Sequence, residues 1–200
     1  MSVDKVILRA FLSTLLAIII LLSFMFLTLI AVFPQTMMEL TYNMGMESSS
    51  IYFAEDAYKR TDDVGYIAYA TEVAILDDNN SKIIACGEKF IKDKDFDEYC
   101  VKKDEEIQVE TSYKQYVYGQ VCVAMYEKDK KDEAIARAFE LMGNTFPRNN
   151  AVVALIVAAN NAQDVASLDV IKGKMNDMQK NGLDDASKAY IGEILARLEK

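Results

Sequence analysis

The sequence predicts an all-α protein in which one membrane-spanning helix is followed by helix-turn-helix units in series. Three observations carry this expectation. Residues 11–33, FLSTLLAIIILLSFMFLTLIAVF, run without a charge. Beyond them, apolar and small residues recur every three or four places, and no segment shows the alternating β-branched pattern of a strand. Turn signals then interrupt the helical pattern at intervals of roughly thirty-odd residues.

The chain divides in order into a short N-terminus (1–10), the span (11–33), a connector (34–46), a helical body (47–182) and a final helix (183–200). At a rise of ~1.5 Å per residue the span covers about 35 Å, enough to cross a hydrocarbon core of roughly 30 Å with some tilt. A cleaved secretory signal is the rival reading. Its apolar core is shorter, about 7–15 residues, and ends in small residues. Here Leu29-Ile30-Ala31 is a poor cleavage site and Pro34 follows, so an uncleaved signal-anchor is expected. Lys5 and Arg9 precede the span, whereas no Lys or Arg follows it until Lys59. Basic residues stay on the cytoplasmic side, so the N-terminus is expected in the cytoplasm and the C-terminal domain outside it. The pairs Ala10/Thr14 and Ser13/Ala17 put small residues on one face of the span, a pattern through which two copies can associate as a homo-oligomer.

The connector carries Met37, Met38, Met44 and Met46. Thioethers adapt to irregular surroundings; here they suit a hydrophobic joint between span and body, the preferred reading, or a shallow bilayer interface.

Charge and composition remove several function classes. Setting Asp4, Lys5 and Arg9 aside from the totals of 22 basic and 31 acidic residues leaves 20 and 30 beyond the span, a net charge of −10. A domain of that sign has no electrostatic footprint for nucleic acid. With no histidine in the chain, Ser-His-Asp and Cys-His nucleophiles and HExxH zinc sites are absent. No phosphate-cradling glycine loop occurs either. Cys86, Cys100 and Cys122 form no CxxC and are expected to be small buried side chains, although a disulfide between two of them stays open. No catalytic, cofactor or metal site is expected.

The helical body can be tested for a repeat. Breaks fall at Thr61-Asp62-Asp63, Asp93-Lys94-Asp95, Asp129-Lys130-Lys131-Asp132 and Asn161-Ala162-Gln163-Asp164. A 34-residue frame gives units 47–80, 81–114, 115–148 and 149–182. Late in each second helix one slot reads Val73, Ile107, Leu141 and Met175, all apolar. Another reads Ala70, Asp104, Ala138 and Lys172, so the second and fourth units fit less well. Individual helices are legible too: "DEAIARAFELMG" puts Ala134, Ile135, Ala138, Leu141 and Met142 on one face. "ASLDVIKGKMNDMQKNG" stops at Asn181-Gly182, and the final helix places Ala186, Ala189, Tyr190, Ile194 and Leu198 on one stripe.

On these residues the body resembles the tetratricopeptide repeat, a helix-turn-helix of 34 residues with small and aromatic residues at fixed slots. "AYKRTDDVGYIAYATEVAILDDNN" (57–80) aligns without a gap, ending "LDDNN" where the family has "LDPNN". The family's turn glycine is replaced by Thr61, Asp95, Asp129 and Gln163. The resemblance implies a short α-solenoid of about four degenerate repeats closed by a capping helix, with a binding groove lined by the first helix of each repeat. In this frame the partner-binding positions are Lys82, Lys89 and Lys92, then Tyr116 and Tyr126, then Asn150 and Asn160. Asn amides both donate and accept, tyrosines give area at low entropic cost, and the lysines would meet carboxylates.

The expectation is therefore a membrane-anchored, non-enzymatic scaffold that binds a polypeptide partner or membrane-complex subunit outside the cytoplasm, by analogy with secretion and envelope assemblies. A structural or self-assembling subunit with no separate client is the alternative. More distant is a Glu-dependent lytic enzyme: Glu47 in "MGMESSS" resembles the general acid of peptidoglycan lytic transglycosylases, with no second motif beside it.

Overall fold

Eleven helices and no strand make up the described residues, 3–107, 112–180 and 182–198 of a computed structural model, with side chains from Ile7 onward. The side chain of Lys5 and residue Asn181, both used in the reading above, lie outside them. The chain forms two compact units that meet in sequence at Asp62/Asp63.

The first unit holds α1 (Val3–Val32), α2 (Pro34–Asn43) and α3 (Glu47–Thr61). Within α1, Ile7–Val32 is long and apolar enough to cross a membrane, 26 residues, and is not packed inside the protein. Three of its hydroxyls are satisfied within the helix: Ser13 and Thr14 both donate to the Ala10 carbonyl, and Thr28 donates to the Phe24 carbonyl. That is what a hydrocarbon environment demands of a hydroxyl. The helix stops because Pro34 cannot extend it and disfavours a helical residue before it; Phe33 turns out at φ −128° and Pro34 opens α2. The Arg60 guanidinium, paired with Asp56 at 2.6 Å, donates to the Ala31 carbonyl and so covers one of the open acceptors at the end of α1.

The four methionines divide between two roles. Met37 and Met38 are buried where α2 packs on α3, and the Met38 carbonyl accepts from Ser50 Oγ at 2.9 Å. Met44 and Met46, around the left-handed Gly45, stay exposed at 64% and 46%. The hydrophobic joint is thus half of the run, not all of it.

The second unit holds α4 (Val64–Leu76), α5 (Asn80–Ile91), α6 (Phe96–Ile107), α7 (Tyr113–Glu127), α8 (Lys131–Met142), α9 (Ala151–Asn161), α10 (Val165–Lys180) and α11 (Asp185–Leu198). The 34-residue frame's first pair, α3 and α4, falls on the two sides of the unit division; α3 packs against α2, and α4 against α5. Helix α7 packs against α5 on one side, α9 on the other, and also against α6 and α8. Helix α10 follows on α9 and α8, and α11 on α10.

Turn chemistry recurs with the frame. Asp129 (φ 59°) and Gln163 (φ 54°), 34 residues apart in sequence, both stand in the left-handed conformation, at slots where the resembled family carries glycine. Asp62 (φ 57°) does the same one place after Thr61. Short polar side chains tolerate this region best after glycine. The turn at Asp95 is built otherwise, with the Asp93 carboxylate accepting from the Asp95 N–H at 2.8 Å.

Burial follows the sequence pattern in α8, where Ala134, Ile135, Ala138 and Met142 are all in the core and Leu141 lies at its edge. The final helix differs from its expected stripe. Ala186 and Ala189 are exposed, while Ser187 and Ile191 are buried, with Tyr190, Ile194 and Leu198 half-buried beside them. Ser187 goes inside because its hydroxyl is used, accepting from the Phe146 N–H at 3.0 Å and donating to Asp184. All three cysteines are buried and unbridged. Burial pushes the Cys100 and Cys122 thiols up to about 12, so neither is a thiolate at neutral pH.

Two glycines in the second unit make opposite predictions. A Cβ at Gly87 would stand 2.3 Å from Val121 Cγ2, so α5 and α7 could not keep their approach. Gly87→Ala should cost about 1–3 kcal/mol through overpacking. Gly173, inside α10, has nothing within 4 Å of its missing Cβ, so Gly173→Ala should stabilise by about 0.4–1 kcal/mol. Thermal unfolding of the two variants in one detergent checks the pair, and equal melting temperatures would contradict the packing described.

Candidate partner-binding face

The residues expected to meet a partner lie on α5, α7 and α9 or at their ends, and the structure treats them unequally. Tyr116 is exposed on α7, and Asn160 is exposed near the end of α9. Lys89 and Lys92 are exposed on and just after α5, with Lys82 half-buried near its start. Lys92 is paired with Glu88 at 3.2 Å, one turn back on the same helix face. Glu88 also takes a bidentate bond from Arg137 at 2.8 and 3.0 Å, which ties α5 to α8. The lysines are therefore no unopposed cationic row.

Two of the expected residues are corrected. Asn150 is completely buried. Its Oδ1 accepts from the Val152 and Val153 N–H groups at 2.9 and 3.1 Å, and its Nδ2 donates to the Pro147 carbonyl at 2.6 Å. It is the N-cap of α9, and its full burial keeps the amide out of a partner's reach. Asn followed by the apolar run "AVVALIVAA" is a cap signal, and it was available in the sequence. Tyr126 is 4% exposed, with its hydroxyl donating to Asp164 Oδ2 at 2.7 Å. It is core because α7 has neighbours on most sides: Tyr113, Val117, Tyr118, Val121, Cys122 and Ala124 are buried with it. A helix so enclosed lacks the single polar face from which a groove position is read.

Asp164 is a residue that sequence reasoning passed over. Its Oδ2 accepts from Tyr126 at 2.7 Å, from Lys131 Nζ at 2.8 Å and from Ser167 Oγ at 2.8 Å. Its Oδ1 takes the Ser167 N–H at 3.1 Å, which caps α10. Lys131, then Tyr126 and Ser167, hold the carboxyl well below its usual range. One charged side chain thus joins the end of α7, the start of α8 and the start of α10. The depression beside it is lined by Asp129, Lys131, Asp132, Glu133 and Ser167; Lys131 and Ser167 are bound to Asp164, so the groups best placed to meet a ligand are engaged.

A smaller cleft, of about 180 Å³, opens where α7 crosses the start of α9. Gln115, Tyr116, Gly119, Gln120 and Val123 line it from α7, and Asn149 and Ala154 from the other side. Gly119 accounts for the crossing: a Cβ there would lie 3.3 Å from Ala154 Cβ. The residue costs about 1 kcal/mol of helix propensity relative to Ala, and the near contact of two backbones is what it permits. No ionisable group other than the Tyr116 phenol lines the cleft, whose polar atoms are otherwise amides. Burial raises the Tyr116 hydroxyl above its usual range, so it stays protonated at neutral pH. Such a lining can donate and accept hydrogen bonds; it has no nucleophile or general base to offer. Glu47 stands elsewhere, as the first residue of α3, and no group of three or more metal-ligating side chains occurs among the described residues.

The Asp164 cluster predicts a pH dependence of stability. Its carboxyl pKa is depressed in the folded state, so the unfolded chain binds more protons as the medium acidifies. The contribution is fully present above the unfolded value of about 3.9 and is lost as pH falls toward the folded one. Asp164→Asn should melt below the wild type at pH 7, and the gap should narrow as pH drops through 4. A gap independent of pH over that range would assign the cluster's effect to packing.

No protein-family model, curated protein or solved structure matches this chain, so what its exposed surface does rests on that surface's own chemistry.

Proposed function

We propose that this is a single-pass membrane protein whose helical body forms a short tetratricopeptide-like solenoid outside the cytoplasm and acts by binding a polypeptide, without enzymatic activity. Several features support the solenoid. Helices α5, α7 and α9 pack in sequence, and α4 with α6 and α8 with α10 make the corresponding contacts between second helices. The left-handed turn residues Asp129 and Gln163 keep the repeat's spacing. The flanking cations favour a cytoplasmic N-terminus, since Lys5 and Arg9 precede the uncharged run 11–33 and no Lys or Arg follows it until Lys59.

The observation that carries the binding reading is the α7/α9 cleft. An uncharged, amide-rich pocket beside an exposed tyrosine suits a polypeptide, whose main chain offers neutral donors and acceptors in a row. Nucleic acid is disfavoured by an acidic domain of net charge −10, once Asp4, Lys5 and Arg9 are set aside. Tyr116, and not the buried Tyr126, is the residue to probe.

A photoreactive side chain at Tyr116 in the membrane-embedded protein should capture a discrete polypeptide other than itself, and the same group at exposed Val165 should not. Capture only within the chain or of a second copy would replace the client-binding reading with a structural, self-assembling one. Equal capture at both positions would show that Tyr116 marks no site.

A further inference from the structure

We infer that the cavity between the loop 143–150 and α11 is a further binding site, and that its ligand is a zwitterionic amino acid with an apolar side chain, its carboxylate on Arg148 and its ammonium on Glu193. The site is separate from the α7/α9 cleft and does not depend on the polypeptide-binding reading.

The cavity measures about 400 Å³, within the range of roughly 300–1,000 Å³ usual for small-molecule sites. Its apolar wall is Phe146 and Pro147 from the loop and Ala186, Ala189 and Tyr190 from α11. Ala186 and Ala189 belong to the stripe that the sequence places in the core, yet both are exposed and line this cavity. The walls are fixed by bonds of their own. Phe146 donates its N–H to Ser187 Oγ at 3.0 Å, and its ring meets that of Tyr190 at 6.0 Å. The Pro147 carbonyl accepts from the Asn150 cap at 2.6 Å. The space is thus held in shape before any ligand enters, which lowers the cost of binding one.

Two charges line the cavity, and neither has a partner of opposite sign among the described residues. Arg148 lies over the Tyr190 ring at 5.6 Å and makes no ion pair, whereas Arg60 and Arg137 both close on carboxylates. Stacking occupies the face of a guanidinium and leaves free its in-plane N–H fork, the edge that takes a carboxylate in two parallel bonds. Glu193 is exposed one turn after Tyr190 on α11 and makes no ion pair either. The two side chains border one space without closing on each other.

These charges narrow the ligand. An anion alone is opposed by Glu193, and a cation alone by Arg148. An uncharged apolar body would desolvate both charges and pair neither. A zwitterion answers both, and its side chain covers the apolar wall. The volume is equivalent to about thirteen waters at ~30 Å³ each, room for one amino acid but for no folded element.

The test uses the full chain in nanodiscs, with L-phenylalanine and L-leucine as probes. Two derivatives accompany them: N-acetyl-phenylalanine, which lacks the ammonium, and phenylalanine amide, which lacks the carboxylate. Saturation-transfer NMR titrations give each dissociation constant. L-Phenylalanine should bind saturably, and each derivative about tenfold more weakly, because each forfeits one charge-assisted contact. Arg148→Gln should weaken L-phenylalanine about tenfold and leave the amide unchanged, since the amide has no carboxylate for the guanidinium to lose. Glu193→Gln should weaken L-phenylalanine likewise and leave the N-acetyl derivative unchanged. The unaffected derivative reports in each case that the cavity has kept its shape, and the comparison of ligands on the wild type needs no variant. No saturable binding of either amino acid, equal constants for L-phenylalanine and its two derivatives, or a folded variant that weakens its matched derivative as much as the parent would each overturn the inference. Capture of a polypeptide at Tyr116 is measured apart from this, so the binding function stands or falls without it.

Discussion

Helix α7 imposes the constraint on which the second unit depends, because two neighbours approach it where a side chain has been given up. Gly87 lets α5 come within reach of Val121, and Gly119 lets Ala154 of α9 close on α7 from elsewhere on its surface. With α6 and α8 also against it, the helix has little free face, and three of its four tyrosines, Tyr113, Tyr118 and Tyr126, become framework. Phe90 of α5 meets Phe96 edge to face at 4.7 Å, Phe96 stacks on Tyr118 at 5.7 Å, and Tyr113 extends the cluster toward Tyr116 at 6.2 Å. Aromatic pairs of this kind add about 0.5–1.5 kcal/mol beyond the area they bury. Helix position in the unit is therefore set by two missing side chains and one cluster of rings.

Charge supplies register around the same helix. Tyr113 donates to Glu72 of α4 at 2.6 Å, Tyr126 donates to Asp164 before α10, and Arg137 of α8 clasps Glu88 of α5. Each joins helices that are not consecutive in sequence. Exposed ion pairs within single helices, such as Lys102 with Glu98, contribute little by comparison, since water screens them. The difference is geometric. A carboxylate accepting from three side chains on separate elements can be satisfied in one arrangement of those elements, whereas a pair one turn apart is satisfied by any straight helix.

Much of the architecture was legible from the sequence. The uncharged run, the 3.6-residue periodicity of α8 and the 34-residue spacing of the turns all depend on local chemistry, and local chemistry is what a sequence displays. The surface was less legible because it depends on which helix ends up between which others. Tyr126 was read as groove-facing by position in a frame, and neighbours on most sides buried it. Ser187 was passed over on the final helix because a hydroxyl does not count as apolar, yet a hydroxyl with two partners buries as readily as an alanine. Asp104 occupies a slot where Ala70 and Ala138 are core, and it survives there, half-buried, by accepting the Tyr113 N–H at the start of α7. Asn150 could have been recognised, since an Asn ahead of an apolar run is a cap before it is a ligand-binding group.

The buried polar groups differ in what holds them inside. Thr41 and Thr71 return their hydroxyls to the preceding turn, Ser50 reaches Met38, and Asn150, Ser167 and Ser187 complete caps. Each of these side chains has a reason to be inside that the fold itself provides. Gln115 is the exception: its oxygen is enclosed without a hydrogen-bond partner, and an acceptor in that state costs stability. The unpaired oxygen stands one turn before Gly119, on the stretch of α7 that Ala154 of α9 approaches, so the fold's one uncompensated buried acceptor among the described residues and one of its closest helix crossings fall together.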